Sequence, residues 1–136
     1  MSKLNDLLNP YCDYGVIFIR LAFGFHLLFY SWSDVVYGTA SNNAGWLESM
    51  GFPLPIVMAW AYQLTEFIGG ILLILGLWVR WISIPLVFTF VVAYFLVHFS
   101  DPYEDAFQAI QLLCVSLFFF FNGAGKLSLD GIIKKG

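Results

Sequence analysis

The chain has 136 residues, room for one domain, and 60% of them are hydrophobic against 11% charged. A soluble domain carries about 25% charged residues, so this chain lacks the charge to coat a water-facing surface and the bilayer is its expected solvent. The formal charge of −3 and the absence of a basic patch exclude a nucleic-acid binder.

The N-terminal stretch "MSKLNDLLNPYCDYG" has neither the apolar core nor the small-residue cleavage site of a signal peptide, so the first hydrophobic segment is expected to stay as an anchor. A membrane span needs roughly 20 mostly apolar residues, and four segments approach that length: 14–33, 56–78, 81–98 and 106–121. Each must be helical, because hydrocarbon offers no partner to a free backbone amide or carbonyl. The expected architecture is therefore all-α: a single integral membrane four-helix bundle over residues 1–136, with Pro85 near the start of the third helix. "MGFPLP" reads as a stiff turn into the second helix, and "FSDPYED" links the third and fourth. "NGAGKLSLDG" ends the fourth, after which Ser128 is placed to cap a short interfacial helix. Lys3, Arg80, Lys126, Lys134 and Lys135 all fall on one side of these spans, and the loops on the other side hold no Lys or Arg. The positive-inside rule then sets both termini in the cytoplasm. Cys12 and Cys114 stand far apart without a CxxC, which argues against a disulfide framework, a zinc site or a dithiol relay.

The polar residues inside the spans carry the functional question. Arg20 lies about two turns into the first span, roughly 9 Å, within snorkelling reach of the headgroups. Glu66 lies roughly 18 Å from the cytoplasmic end of its helix, too deep to snorkel, where a charge costs about 2.5–3.5 kcal/mol on insertion scales. It must be neutral, paired or facing water. Pairing with Arg20 in one polar network is expected, directly or through water. Gly69 and Gly70 follow Glu66 directly, and Arg20, Gly24, Leu27, Ser31 and Asp34 form a matching stripe on the first helix. Small residues let membrane helices approach closely, so these faces are expected to pack together.

His26, Tyr30, Tyr62, Gln63, Glu66, Tyr94, His98, Gln108 and Gln111 gather in the outer half of the bundle. Together they suggest an outward-opening, aromatic-lined polar pocket, with Glu66 and His98 as proton-transfer groups. Arg20, His26, Tyr62, Gln63, Tyr94 and Gln111 are the candidate ligand contacts. The competing reading is interhelical hydrogen bonding plus an interfacial aromatic belt. Two histidines also invite haem or copper. However, His26 lies roughly 10 Å below the outer end of its helix while His98 sits at the mouth, and no CxxCH is present. No metal ligand set is assigned. Phosphate-loop, dinucleotide and zinc-protease motifs are absent.

An arginine in "IRLAFG", the "GFPLP" turn, "EFIGGILLILGLWVR", "AYFLVH" and "GAGKLSLD" occur in this order. In these the chain, from about Gly15 to Asp130, resembles the DoxX family of small four-helix bacterial membrane proteins. The resemblance implies a multi-pass protein of the bacterial cytoplasmic membrane, with Arg20, Glu66 and His98 as the family's polar positions. It also implies kinship with a group that includes the small subunit of a thiosulfate:quinone oxidoreductase. The family often ends its first helix on an "HGxxK"-like sequence; here "YSWSD" puts Ser31 and Asp34 in place of the glycine and lysine.

Two functions compete at this point. One is a quinone-linked oxidoreductase subunit or accessory. Quinone would be its cofactor; the chain brings no visible electron carrier, so it would need a partner redox subunit or would reduce quinone directly with substrate. The other is a non-enzymatic small-molecule binding, transport or assembly protein, working alone or as a homodimer.

Overall fold

The computed structural model describes residues 2–38, 40–97 and 99–135. Helix α1 (Ser2–Leu8) passes through a 3-10 turn (Asn9–Tyr11) into the long α2 (Cys12–Val36). Helices α3 (Ala40–Ser49), α4 (Pro55–Leu75) and α5 (Val79–Val92) follow, and α5 runs on into a π turn (Ala93–Val97). Helices α6 (Tyr103–Asn122) and α7 (Leu129–Lys135) complete the chain, and no strand occurs among the described residues. Three helical stretches are long and apolar enough to cross a membrane: Ser2–Val36, Pro55–Leu75 and Val79–Leu96. Ala106–Asn122 is a shorter apolar helix. The protein is thus an all-helical, multi-pass membrane protein.

Helix α4 stops at Leu75, short of the Trp78 that hydropathy alone suggests. Gly76 takes a left-handed backbone (φ 72°), and the Leu77 amide reaches back to Leu72 O at 2.9 Å, which closes the helix although the sequence stays apolar. Helix α3, inside the loop between α2 and α4, is not foreseen by the sequence reading. Its Ala44 and Leu47 form a small buried cluster with Ala59 at the head of α4.

The glycine stripes pack as their spacing predicts. Helix α2 buries Arg20, Phe23, Gly24, Leu27 and Ser31, mainly against α4. A Cβ on Gly24 would lie 2.9 Å from Gly70 O, and one on Gly70 would lie 2.8 Å from Gly24 O, so two backbones meet here. Gly69 faces the other way, with Leu86 Cδ1 of α5 3.2 Å from a would-be Cβ. The two glycines behind Glu66 therefore seat α4 between two neighbours. The shared core includes Phe23, Leu27, Leu73, Leu86, Phe90 and Phe119, with Phe23 and Phe119 stacked at 6.1 Å.

One end of the bundle is tied shut. The Arg20 guanidinium donates to Ala124 O at 2.7 Å and Leu127 O at 3.0 Å. Asp130 accepts from the amides of Trp78 (2.8 Å) and Val79 (3.1 Å), capping α5 from 51 residues further along the chain. That cap holds Trp78 in a left-handed backbone (φ 50°). The Asp130 amide in turn donates to Gly76 O at 2.9 Å. Ser128 caps α7 as expected, its hydroxyl accepting from the Gly131 amide at 3.1 Å. Lys126 and Asp13 meet at 4.0 Å, so the segments near both termini share this end.

Candidate functional site

The opposite end is open. A cavity of about 500 Å³ lies between α3, α4, α5 and α6. Trp46 and Leu47 of α3 border it, Tyr62, Thr65 and Glu66 come from α4, Phe88, Thr89 and Phe90 from α5, and Gln108, Ala109 and Leu112 from α6. Helix α2 packs most extensively on α4, and α5 on α6. The cavity occupies the gap where these two pairs part. Pro85 lies inside α5 on the cavity wall, and the π turn begins at Ala93, which also lines the cavity. Such irregular helical turns often occur at functional sites.

Glu66 is the pivot of this arrangement. It stands eleven residues after Pro55 and ten before Gly76, roughly 15 Å from either end of its helix. It also lines a second cavity of about 190 Å³, together with His26, Leu27, Tyr30, Gln108 and Leu112. Among the described residues no hydrogen-bond donor meets its carboxylate, and Asp34 lies within electrostatic range of it and of Tyr62. Asp34 also accepts from Asn43 Nδ2 at 3.2 Å, which ties α3 to the end of α2. Asp34 thus contributes a second acid to this end.

The hydroxyls of Thr65 and Thr89 donate to their own helices, at Ala61 O (2.7 Å) and Pro85 O (2.8 Å). They therefore face the cavity as acceptors. The donors that line it for a guest are the Trp46 indole N–H, the Tyr62 hydroxyl, the Gln108 amide and Glu66 itself when it holds a proton.

The remaining candidates scatter. Arg20 does not pair with Glu66. Its charge is taken up at the closed end, by the carbonyls of the glycine-rich "GAGKL" segment and in range of Asp130. A shared Arg20–Glu66 network is thereby overturned: Arg20 packs against Gly76, ten residues from Glu66, roughly 15 Å along the helix. Gln63 is fully buried but lines neither cavity; it donates to the Tyr62 hydroxyl at 3.5 Å, and its Oε1 has no partner among the described residues. Tyr94 packs on Phe95 and Phe99 outside both cavities. Gln111 is exposed on α6 and lines neither cavity. His98 lies outside the described residues. Sequence reasoning missed Trp46 and Leu47, because α3 itself was not foreseen, and Phe88 and Thr89, which carry no chemical signature. Among the described residues no group of three or more His, Cys, Asp or Glu side chains gathers to hold a metal.

The family model described as DoxX matches residues 15–99, more than half of the chain, from α2 through the π turn. No curated protein and no solved structure matches it.

Proposed function

The chain belongs to the DoxX family, and from that premise we propose that it is a subunit or accessory of a quinone-linked redox system. Its large cavity would take a quinone headgroup or a similar planar ligand. The observation that carries this reading is the cavity of about 500 Å³ with an unpartnered carboxylate, Glu66, in its wall. Small-molecule sites typically span about 300–1,000 Å³ and pair apolar walls with a few polar groups. Trp46, Phe88, Phe90 and Leu112 supply the walls; Tyr62, Glu66 and Gln108 supply the hydrogen bonds. A protonated Glu66 donates to a quinone carbonyl, and an ionised one accepts from a quinol hydroxyl. Trp46 and Phe88 border the cavity yet stay exposed. In a membrane they face lipid, which suits a guest that arrives from the bilayer with an apolar tail. His98, which lies outside the described residues, is retained in the proposal as a proton-transfer candidate from its place in the sequence alone. A partner subunit would bring the electron carrier.

The proposed location is the bacterial cytoplasmic membrane. The closed end, with Arg80 and Lys126, faces the cytoplasm by the positive-inside rule, and the cavity end faces outward.

Binding of a short-chain quinone analogue to the purified protein in detergent, together with solvent extraction of what copurifies, tests the reading. Glu66→Gln and Gln108→Leu should each weaken binding by about tenfold or more, the cost of a hydrogen bond to a charged or buried polar group. Ala109→Trp should abolish binding by filling the cavity. Unaltered binding in all three folded variants would remove the cavity from the reading. Quinone-free protein that binds no analogue would leave the non-redox alternative, a small-molecule carrier or assembly partner.

A further inference from the structure

Glu66 is a wall of both cavities, and the smaller one differs in kind from the larger. Four of its six lining residues, His26, Tyr30, Glu66 and Gln108, carry polar side-chain groups. Its volume of about 190 Å³ has room for roughly six waters at ~30 Å³ each, and a polar cavity offering two to four partners per water holds water where an apolar one stays dry. It lies between α2 and α6 and shares Glu66, Gln108 and Leu112 with the cavity that reaches α3 and α5. Tyr30 is exposed and His26 is partly so, which places them at its open side. Gln108 stands five residues into α6, roughly 8 Å from that helix's outer end.

We propose that the smaller cavity is a hydrated proton route joining Glu66 to the outer surface between α2 and α6, with the His26–Gln108 contact as its gate. The inference rests on the ligand reading of the large cavity for its purpose: Glu66 meets a guest in the larger cavity and water in the smaller. Gln108 Nε2 and His26 Nε2 stand 3.2 Å apart. With the amide donating, the imidazole accepts at Nε2 and keeps its proton on Nδ1. A proton arriving at Nε2 turns that nitrogen into a donor, so Gln108 must present its Oε1 instead, and the amide turns over. Each transfer moves one proton between a Glu66 oxygen, the intervening water and His26, with no electron needed. The groups that surround Glu66 are Asp34, His26 and Tyr30 from α2, Tyr62 from α4, Thr89 from α5 and Gln108 from α6.

The test is hydrogen–deuterium exchange of the Glu66 carboxyl, read by infrared spectroscopy in quinone-free protein. The pH is one at which the carboxyl stretch removed by Glu66→Gln is present. Wild type should exchange within the mixing time. His26→Phe and Tyr30→Phe touch only the smaller cavity. The former should slow exchange by at least about tenfold, and the latter should slow it less. If one variant fails to fold, the other still decides. Exchange that stays fast in the folded variants, or is slow in wild type, overturns the route. Binding of the quinone analogue is measured on the same samples. Intact binding with unchanged exchange removes the route alone. Absent binding with variant-sensitive exchange removes the ligand reading and leaves the route.

Discussion

The two ends of the bundle use polar residues in opposite ways. At the closed end three charged side chains are spent on backbone, Arg20 on two carbonyls (its Nε is left buried without a partner among the described residues), Asp130 on two amides and Arg80 on Phe121 O at 3.2 Å. At the open end Glu66 meets no hydrogen-bond donor among the described residues and Gln63 Oε1 is buried without a partner. The same helix, α4, carries Gly76 into the first environment and Glu66 into the second. In hydrocarbon a non-helical segment survives only where its backbone finds partners. The glycine-rich stretch after α6 is such a segment, and Arg20 supplies the partners. An acid left open at mid-height has no such structural duty, and this contrast is what singles out Glu66.

The comparison breaks most easily at Arg20. Arg20→Ala removes two hydrogen bonds from a charged donor, each worth about 1.5–3 kcal/mol, so a loss of about 3–6 kcal/mol is expected in unfolding from detergent. Arg20→Lys should recover little, since one ammonium does not reproduce the planar fork that reaches both carbonyls. Combined with Glu66→Ala, the losses should add within about 0.3–0.5 kcal/mol, as for distant sites without shared partners. A double variant that loses clearly less than the sum would restore a single polar network and erase the contrast between the ends.

The seam between α2 and α4 comes next. Gly70→Ala drives a Cβ to 2.8 Å from Gly24 O, which is backbone and does not yield; overpacking of this kind costs about 1–3 kcal/mol. Gly69→Ala meets only side-chain atoms, of Leu86 and Ile82, and should cost less. Equal losses would show that the two glycines are not divided between two neighbours. Asp130→Ala then removes a cap, worth about 1 kcal/mol, and should be read by amide exchange at Trp78 and Val79 as well as by melting.

The spans and the glycine stripes were legible because both rest on local rules: run length of apolar residues, and small residues at helical spacing. Ser128 as a cap was legible for the same reason. Arg20's partners were not. Carbonyls are invisible in a sequence, so the nearest acid in an apolar stretch looked like the natural counter-charge. The roughly 9 Å depth difference between the two residues already pointed the other way. The cavity was half legible. Glu66, His26, Tyr62 and Gln108 announced themselves as polar residues in the outer half, but α3 did not. Its burial depends on Ala44 and Leu47 alone, too few apolar positions to mark a helix face. Gln111 and Tyr94 shared the right depth but not the right face, and depth is the easier of the two to read.

The smallest expected change in stability is at Glu66, and it is the most diagnostic. No hydrogen bond to its carboxylate is lost in Glu66→Gln, and the side chain keeps its shape. Unfolding should therefore shift by no more than about 0.5 kcal/mol, as for substitutions away from a structural contact. The effect should appear only with ligand present. A quinone analogue at 100 times its dissociation constant stabilises wild type by about 2.7 kcal/mol through mass action, and about half of that gain or more should vanish in Glu66→Gln at the same concentration, the consequence of binding weakened tenfold or more. The two melts, with and without analogue, separate function from fold in a single preparation. If Glu66→Gln destabilises the ligand-free protein as much as Arg20→Ala does, Glu66 is a structural residue and the open end is built like the closed one. If it changes neither melt, the carboxylate is idle and the guest, where there is one, is held by Tyr62 and Gln108.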